Sequence, residues 1–269
     1  MASTHHATLV CAAAALAFSG YAAAINPATA ATVTACTSDA FCYCVNADLI
    51  AAIDEKVAVI RRLIAEQKAQ GKAVGYLSIP LSTAAGSYFN VNAKVAAEVK
   101  DRVEARLGAH AAWLLNPGAK DFALPSNASG ADYMLMWTKV LEGGDGLGEF
   151  DFVYFVGPSD FARHFGLDGN GDMERLEAYY DNLAKTDDGL KSVDKRSFRD
   201  YYALRASVAF SYGSHDEWNI VRAVNERRRD ADGKTGIAKQ MGVFFNGRPV
   251  APGLFEVPVA PGDAGACRS

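Results

Sequence analysis

The chain has 269 residues, half of them apolar, and a net charge of −4. That is enough for one large domain with its own core, or at most two small ones. The charge balance supplies no broad basic surface, which excludes nucleic acid as a main partner. The densest positive patch, Arg227-Arg228-Arg229, reads as a helix C-terminus, where cations are favoured.

Residues 1–35 read as a leader. "ATLVCAAAALAFSGYAAAI" (7–25) is an alanine-rich apolar run followed by small-residue sites at Ala22-Ala23-Ala24 and Ala28-Thr29-Ala30. That order resembles a secretory signal, although its only basic side chains are His5 and His6. Retention of the run as an anchor is the competing reading, and alanine inserts weakly. No later run is long and apolar enough to span a bilayer, so no membrane partner is expected after cleavage. The expected location is outside the cytoplasm, periplasmic or secreted. Cys11 lies in the leader. Cys36, Cys42, Cys44 and Cys267 remain, clustered at the two ends of the mature chain. An even number in an exported protein suggests disulfides, with one bridge tying the tail to the head. A metal site built on "CYC" and Cys36 is the other reading; it lacks the two-residue ligand spacing.

Residues 36–71 form a cysteine-containing segment and a helix, with apolar positions 49, 50, 53, 57, 60 and 64 on one stripe. Strands are then predicted at 73–81, 111–118, 150–158, 204–213 and 239–247. Helices are predicted over 90–108, 131–143, 159–167, 173–185 and 214–229. Strand and helix alternate, and the strands are continuous apolar runs. That signature belongs to an α/β domain with a doubly wound, five-stranded parallel sheet and helices on both faces, here spanning 72–250. Residues 251–269 are a Pro/Gly-rich tail. "LDGNGDMERLE" (167–177) spaces Asp168, Asn170 and Asp172 like a calcium loop, but Met173 and Tyr179 occupy its glycine and glutamate positions. A surface turn is expected there.

In such a sheet, ligands bind beyond the carboxyl ends of the strands. The loops there contain no G-x-G-x-x-G, no GKS/T and no G-x-S-x-G, and no H-x-x-x-H pair exists. No cofactor or metal is therefore signalled. "SYGSHDEW" (211–218) is the most informative stretch. Ser214-x-x-Glu217 matches a capping box, which would make Glu217 a helix cap. The functional reading turns Glu217 toward the pocket with Asp216 or His215 beside it. Two adjacent acids repel, which raises one pKa and suits acid–base work. Asp160 in "VGPSD" and Asp132 open helices, positions the helix dipole favours in any case. Tyr76, inside the first sheet strand, needs a partner for its hydroxyl or points it into the site.

This layout resembles the nucleoside 2-deoxyribosyltransferase family. The similarity rests on "VGYLSIPLS" with Tyr76, on Glu217 in "SYGSHDEWNIVRAV" followed by "KQMGVFF", and on Asp160 after an earlier strand. Tyr212 to Glu217 stand where that family carries D-x-G-T-x-x-E. The resemblance implies a flavodoxin-like core and a glutamate that attacks an anomeric carbon. Carried over, Glu217 is the nucleophile, Asp160 the acid/base or hydroxyl-binding group, and Tyr76 an orienter. Asp216 and His215 assist, Tyr88, Tyr133 and Trp137 are placed to stack on a base, and Asp132 joins the substrate-binding set. The expected partner is a small molecule, and a homo-oligomer is left open. The alternative is a non-catalytic exported α/β domain that binds a small molecule or a protein, with Glu217 a capping residue.

Overall fold

The computed structural model describes residues 31–81, 84–204, 206–232, 239–250 and 265–267. The apolar run at 7–25 lies outside them. An antiparallel hairpin comes first, β1 (Thr32–Cys36) and β2 (Cys42–Asn46), with Cys36 opposite Cys42 in the register. These two cysteines form a disulfide, and Cys44 is bonded to Cys267. The expected head-to-tail bridge is present, and the metal reading of "CYC" falls because all four thiols are consumed. The predicted boundary at 35 also moves, since Thr32 to Ala35 belong to β1.

Helix α1 (Ile50–Ala69) buries Ile53, Val57, Ile60 and Ile64, the predicted stripe. Then follow β3 (Ala73–Ser78), α2 (Phe89–Leu107), β4 (Ala112–Leu115), α3 (Gly130–Glu142) and β5 (Phe152–Phe155). After these come α4 (Pro158–Phe165), α5 (Asp172–Leu183), α6 (Lys195–Leu204), α7 (Tyr212–Ala231), β6 (Gly242–Phe245) and β7 (Arg248–Pro249). The sheet order is β4-β3-β5-β6-β7, parallel through β6 and antiparallel at the two-residue β7. The fold is α/β, with a mostly parallel sheet flanked by helices.

Two predictions are corrected. Among the described residues the parallel strands are four rather than five, because 206–213 forms no strand. Ser207 Oγ accepts the Ala209 N–H at 3.2 Å, which winds 208–210 into a 3₁₀ turn. Val208 N–H still reaches the sheet, bonding Val156 O at 3.2 Å beyond β5. Helix α6 was not predicted; its "KRSFRDYYAL" buries Phe198, Tyr201 and Tyr202 on one face. Of the 167–177 stretch, 167–171 form the expected surface turn, closed by Asp172 Oδ accepting the N–H groups of Asp168 and Gly169, and the rest begins α5.

Side chains alternate across a strand, and parallel partners share a face. Tyr76 and Ser78 on β3 therefore point the same way as Val153 and Phe155 on β5. Phe155 packs on Trp218 of α7, and Tyr76 on Trp137 of α3. Leu77 and Tyr154 point to the other face. There Tyr154 meets Asp160 on α4, which pairs with Arg102 on α2. Among the described residues no helix is long and apolar enough to cross a membrane.

Candidate functional site

The predicted Ser214–Glu217 capping box does not form. With 208–210 wound into a turn, Ser211 becomes the N-cap of α7, its side chain accepting the Ser214 N–H at 3.4 Å. The helix thus starts three residues earlier than that box requires. Ser214 falls in the first turn, its Oγ buried with no hydrogen-bond partner among the described residues. Glu217 falls in the second turn and faces the sheet. Ser211→Ala is accordingly expected to cost about 1 kcal/mol, whereas Ser214→Ala is expected to be neutral or slightly stabilising. Urea unfolding of the two variants checks this, and the reverse order would return the cap to Ser214.

Glu217 is 6 % exposed and Tyr76 and Ser78 are fully buried. Tyr76 Oη donates to Glu217 Oε1, and Ser78 Oγ donates to Oε2 at 2.5 Å. Burial pushes the Glu217 pKa up to about 7, helped by the Asp216 charge and opposed by the two hydroxyl donors. The Tyr76 hydroxyl lies well above its ordinary value, through burial first and then the Glu217 charge. It stays protonated and so remains a donor. Its ring is held edge-on by Trp137 at 5.8 Å and Phe150 at 5.5 Å between centroids. Ser78 closes β3, which puts the three groups at the carboxyl end of the parallel strands. The arrangement is an acid titrating near neutrality, fixed by two neutral donors, with lone pairs remaining on each oxygen.

The other predicted site residues divide. Asp216 and His215 are half-buried on the same turn of α7. His215 Nε2 is 2.8 Å from Ala209 O, which ties the helix start to the 3₁₀ turn. Trp137 touches Tyr76, but as core, with 4 % exposure. Asp160 is not brought to Glu217, because the sheet lies between them. It accepts the Gly157 N–H at 3.0 Å at the start of α4, pairs with Arg102 and accepts from Tyr154 at 3.1 Å. Asp132 is the capping-box acid of α3 with Ser129, and it also accepts from the Asn46 backbone N–H and side-chain amide, both at 2.9 Å. Its role is to pin β2 to α3. Tyr133 Oη accepts the Leu124 N–H at 3.1 Å. Tyr88 donates to Asp187 at 2.7 Å, and its N–H bonds Tyr202 Oη at 3.0 Å, which locks it against α6.

Two residues of the cluster escaped the sequence reading. Ser78 was legible in principle, since it stands two positions after Tyr76 and must share its face. Tyr43 was not, because its approach to α3 and α7 depends on the hairpin. Its hydroxyl lies 2.8 Å from Thr138 Oγ1. Thr138 itself donates to Met134 O at 2.6 Å, so Tyr43 is the donor to Thr138. Burial raises the Tyr43 hydroxyl, and the charges of Asp216, Glu142 and Glu217 add to the effect.

Comparison of the chain with protein-family models, curated proteins and solved structures gives no significant match.

Proposed function

We propose that this is an exported N-glycosyl transferase or hydrolase acting on nucleoside-type substrates, with Glu217 as its carboxylate nucleophile. One observation carries the reading: a buried glutamate, poised near neutrality, is oriented by Tyr76 and Ser78 at the carboxyl edge of a parallel sheet. Perturbed acids in such places are where chemistry is found. Tyr76, donating to Glu217 Oε1, is assigned the orienting role in this reading. The order β4-β3-β5-β6 is read as a flavodoxin-like sheet without its fourth strand, β5 pairing directly with β6. Export is supported by the two disulfides and by the Ala28-Thr29-Ala30 site, which ends two residues before β1.

In this mechanism an ionised Glu217 oxygen attacks the anomeric carbon. The C–N bond breaks, its electron pair leaves with the base, and the base nitrogen takes a proton from water. Water, or a second base, then attacks the anomeric carbon and frees Glu217. Asp160 takes no part. Because the nucleophile must be ionised, kcat/KM is expected to rise with pH through about 7.

A second reading rests on a specific observation. Both Glu217 oxygens are already occupied and the side chain is almost closed to solvent, as in a core polar network of a binding domain. One experiment separates the two. Residues 31–269 are incubated with ribo- and 2′-deoxynucleosides, and free base is followed by chromatography beside Glu217→Gln. Base release by the wild type that collapses in the variant supports the enzyme. No release by a wild type shown to be folded by circular dichroism contradicts it and leaves the binding domain.

A further inference from the structure

We propose that a second site, independent of Glu217, binds a small organic cation in the cleft where the β1–β2 turn meets α1 and α3, with Glu142 receiving its ammonium or guanidinium group. The cleft measures about 390 Å³ and is lined by Thr37, Ser38, Val57, Ala58, Arg61 and Glu142, among others. That volume is within the range of small-molecule sites.

The charges around the cleft are the argument. Asp54 has Lys139 at 2.6 Å, and Asp39 has Arg227 at 2.6 Å. Arg61 directs its Nη2 to the carbonyls of Lys139 and Gly143, at 2.8 and 2.5 Å, where it caps the end of α3. Glu142 differs from these. It is 1 % exposed, and its partners are two hydroxyls, Thr37 Oγ1 and Ser38 Oγ, the latter at 2.8 Å. Among the described residues it forms no ion pair with a lysine, arginine or histidine. A carboxylate withdrawn from water calls for a counter-charge. Glu142 is also the last residue of α3, where the helix dipole adds negative potential. Neighbouring Asp39 registers this field: after burial, the Glu142 charge is the second cause holding its pKa up at about 6.

The lining suits a cation with a short apolar stem. The hydroxyl oxygens of Thr37 and Ser38, having donated to Glu142, keep lone pairs for further N–H donors. Val57 and Ala58 supply an apolar wall. The turn that delivers Thr37 and Ser38 is closed by the Cys36–Cys42 disulfide, so that wall of the site is covalently fixed.

The test is an NMR titration of residues 31–269 in non-reducing buffer with n-butylammonium and n-butylguanidinium. Butyrate and n-butanol serve as controls of equal stem. Saturable shifts confined to residues 37–38, α1 and the end of α3, seen with the two cations only, are expected. Glu142→Gln should weaken them roughly tenfold or more, as for loss of a charge-assisted hydrogen bond. Ala58→Phe, which fills the cleft from an exposed helix position, should abolish them without unfolding the protein, and it decides the matter if Glu142→Gln does not fold. Equal binding of n-butanol, unchanged binding in either variant, or no saturation by either cation would overturn the proposal. None of these results depends on nucleoside cleavage.

Discussion

Replacing Cys44 and Cys267 together by serine is expected to cost roughly 5 kcal/mol, the larger loss of the two described disulfides. The bridge joins residues 223 apart in sequence. Opening it returns nearly the whole chain's loop-closure entropy to the unfolded state. Cys36 and Cys42 are 6 apart, so the same relation gives only roughly 2 kcal/mol for their bridge. The folded state loses something as well. The Cys44–Cys267 bond holds the tail where Gly265 bridges Tyr43 and Cys267 N–H donates to Thr34 Oγ1 at 3.0 Å. Urea unfolding of Cys44→Ser/Cys267→Ser and Cys36→Ser/Cys42→Ser should therefore show the larger fall in midpoint for the tail bridge. An equal or inverted order would mean that the tail is not tied to the hairpin as described.

The second large effect is in the pH dependence of stability. The Glu217 pKa is raised in the folded protein, from an ordinary 4.5 to about 7. Between those values the folded state binds the proton more tightly than the unfolded state, so stability falls as pH rises. The loss begins near 4.5 and is complete just above 7. Its size is ~3 kcal/mol, at about 1.4 kcal/mol per pKa unit. Asp39, raised to about 6 by burial and by Glu142, acts in the same direction over a lower window. Glu217→Gln removes the larger contribution. Its unfolding free energy should therefore gain on the wild type by ~3 kcal/mol between pH 4.5 and pH 8. Parallel pH profiles for the two proteins would show that Glu217 titrates normally and is not the desolvated acid described.

The same residues mark how far the sequence could be read. The continuous apolar runs at 73–81, 111–118, 150–158 and 239–247 all became parallel strands, because runs buried on both faces leave little alternative in a chain of this pattern. "LRASVAFSYG" looked equally apolar and failed, since Ser207 and Ser211 each bond a backbone N–H two or three residues on and bend the chain into a turn and a helix start. Losing that strand also moved the helix boundary, which removed Ser214 as a cap and turned Glu217 inward. The predicted head-to-tail disulfide rested on the even cysteine count and on the grouping of the cysteines at the two ends of the chain, and it was correct. Of the three helix-opening acids, Asp132 and Asp160 are caps and Glu217 is not. Spacing alone could not separate them, because both roles place an acid in the first turns of a helix. The separation of Asp160 from Glu217 by the sheet was equally hidden, since it depends on which face each helix covers.

Glu217 is proposed to form a covalent bond to the sugar. This is tested most directly by incubating residues 31–269 with a 2-fluoro-2-deoxynucleoside, whose fluorine slows release of the glycosyl-enzyme, and measuring intact and peptide masses. A mass gain of one fluorosugar residue is expected on the peptide containing Glu217, absent from Glu217→Gln. An unmodified wild type, or an adduct on any other residue, would contradict it.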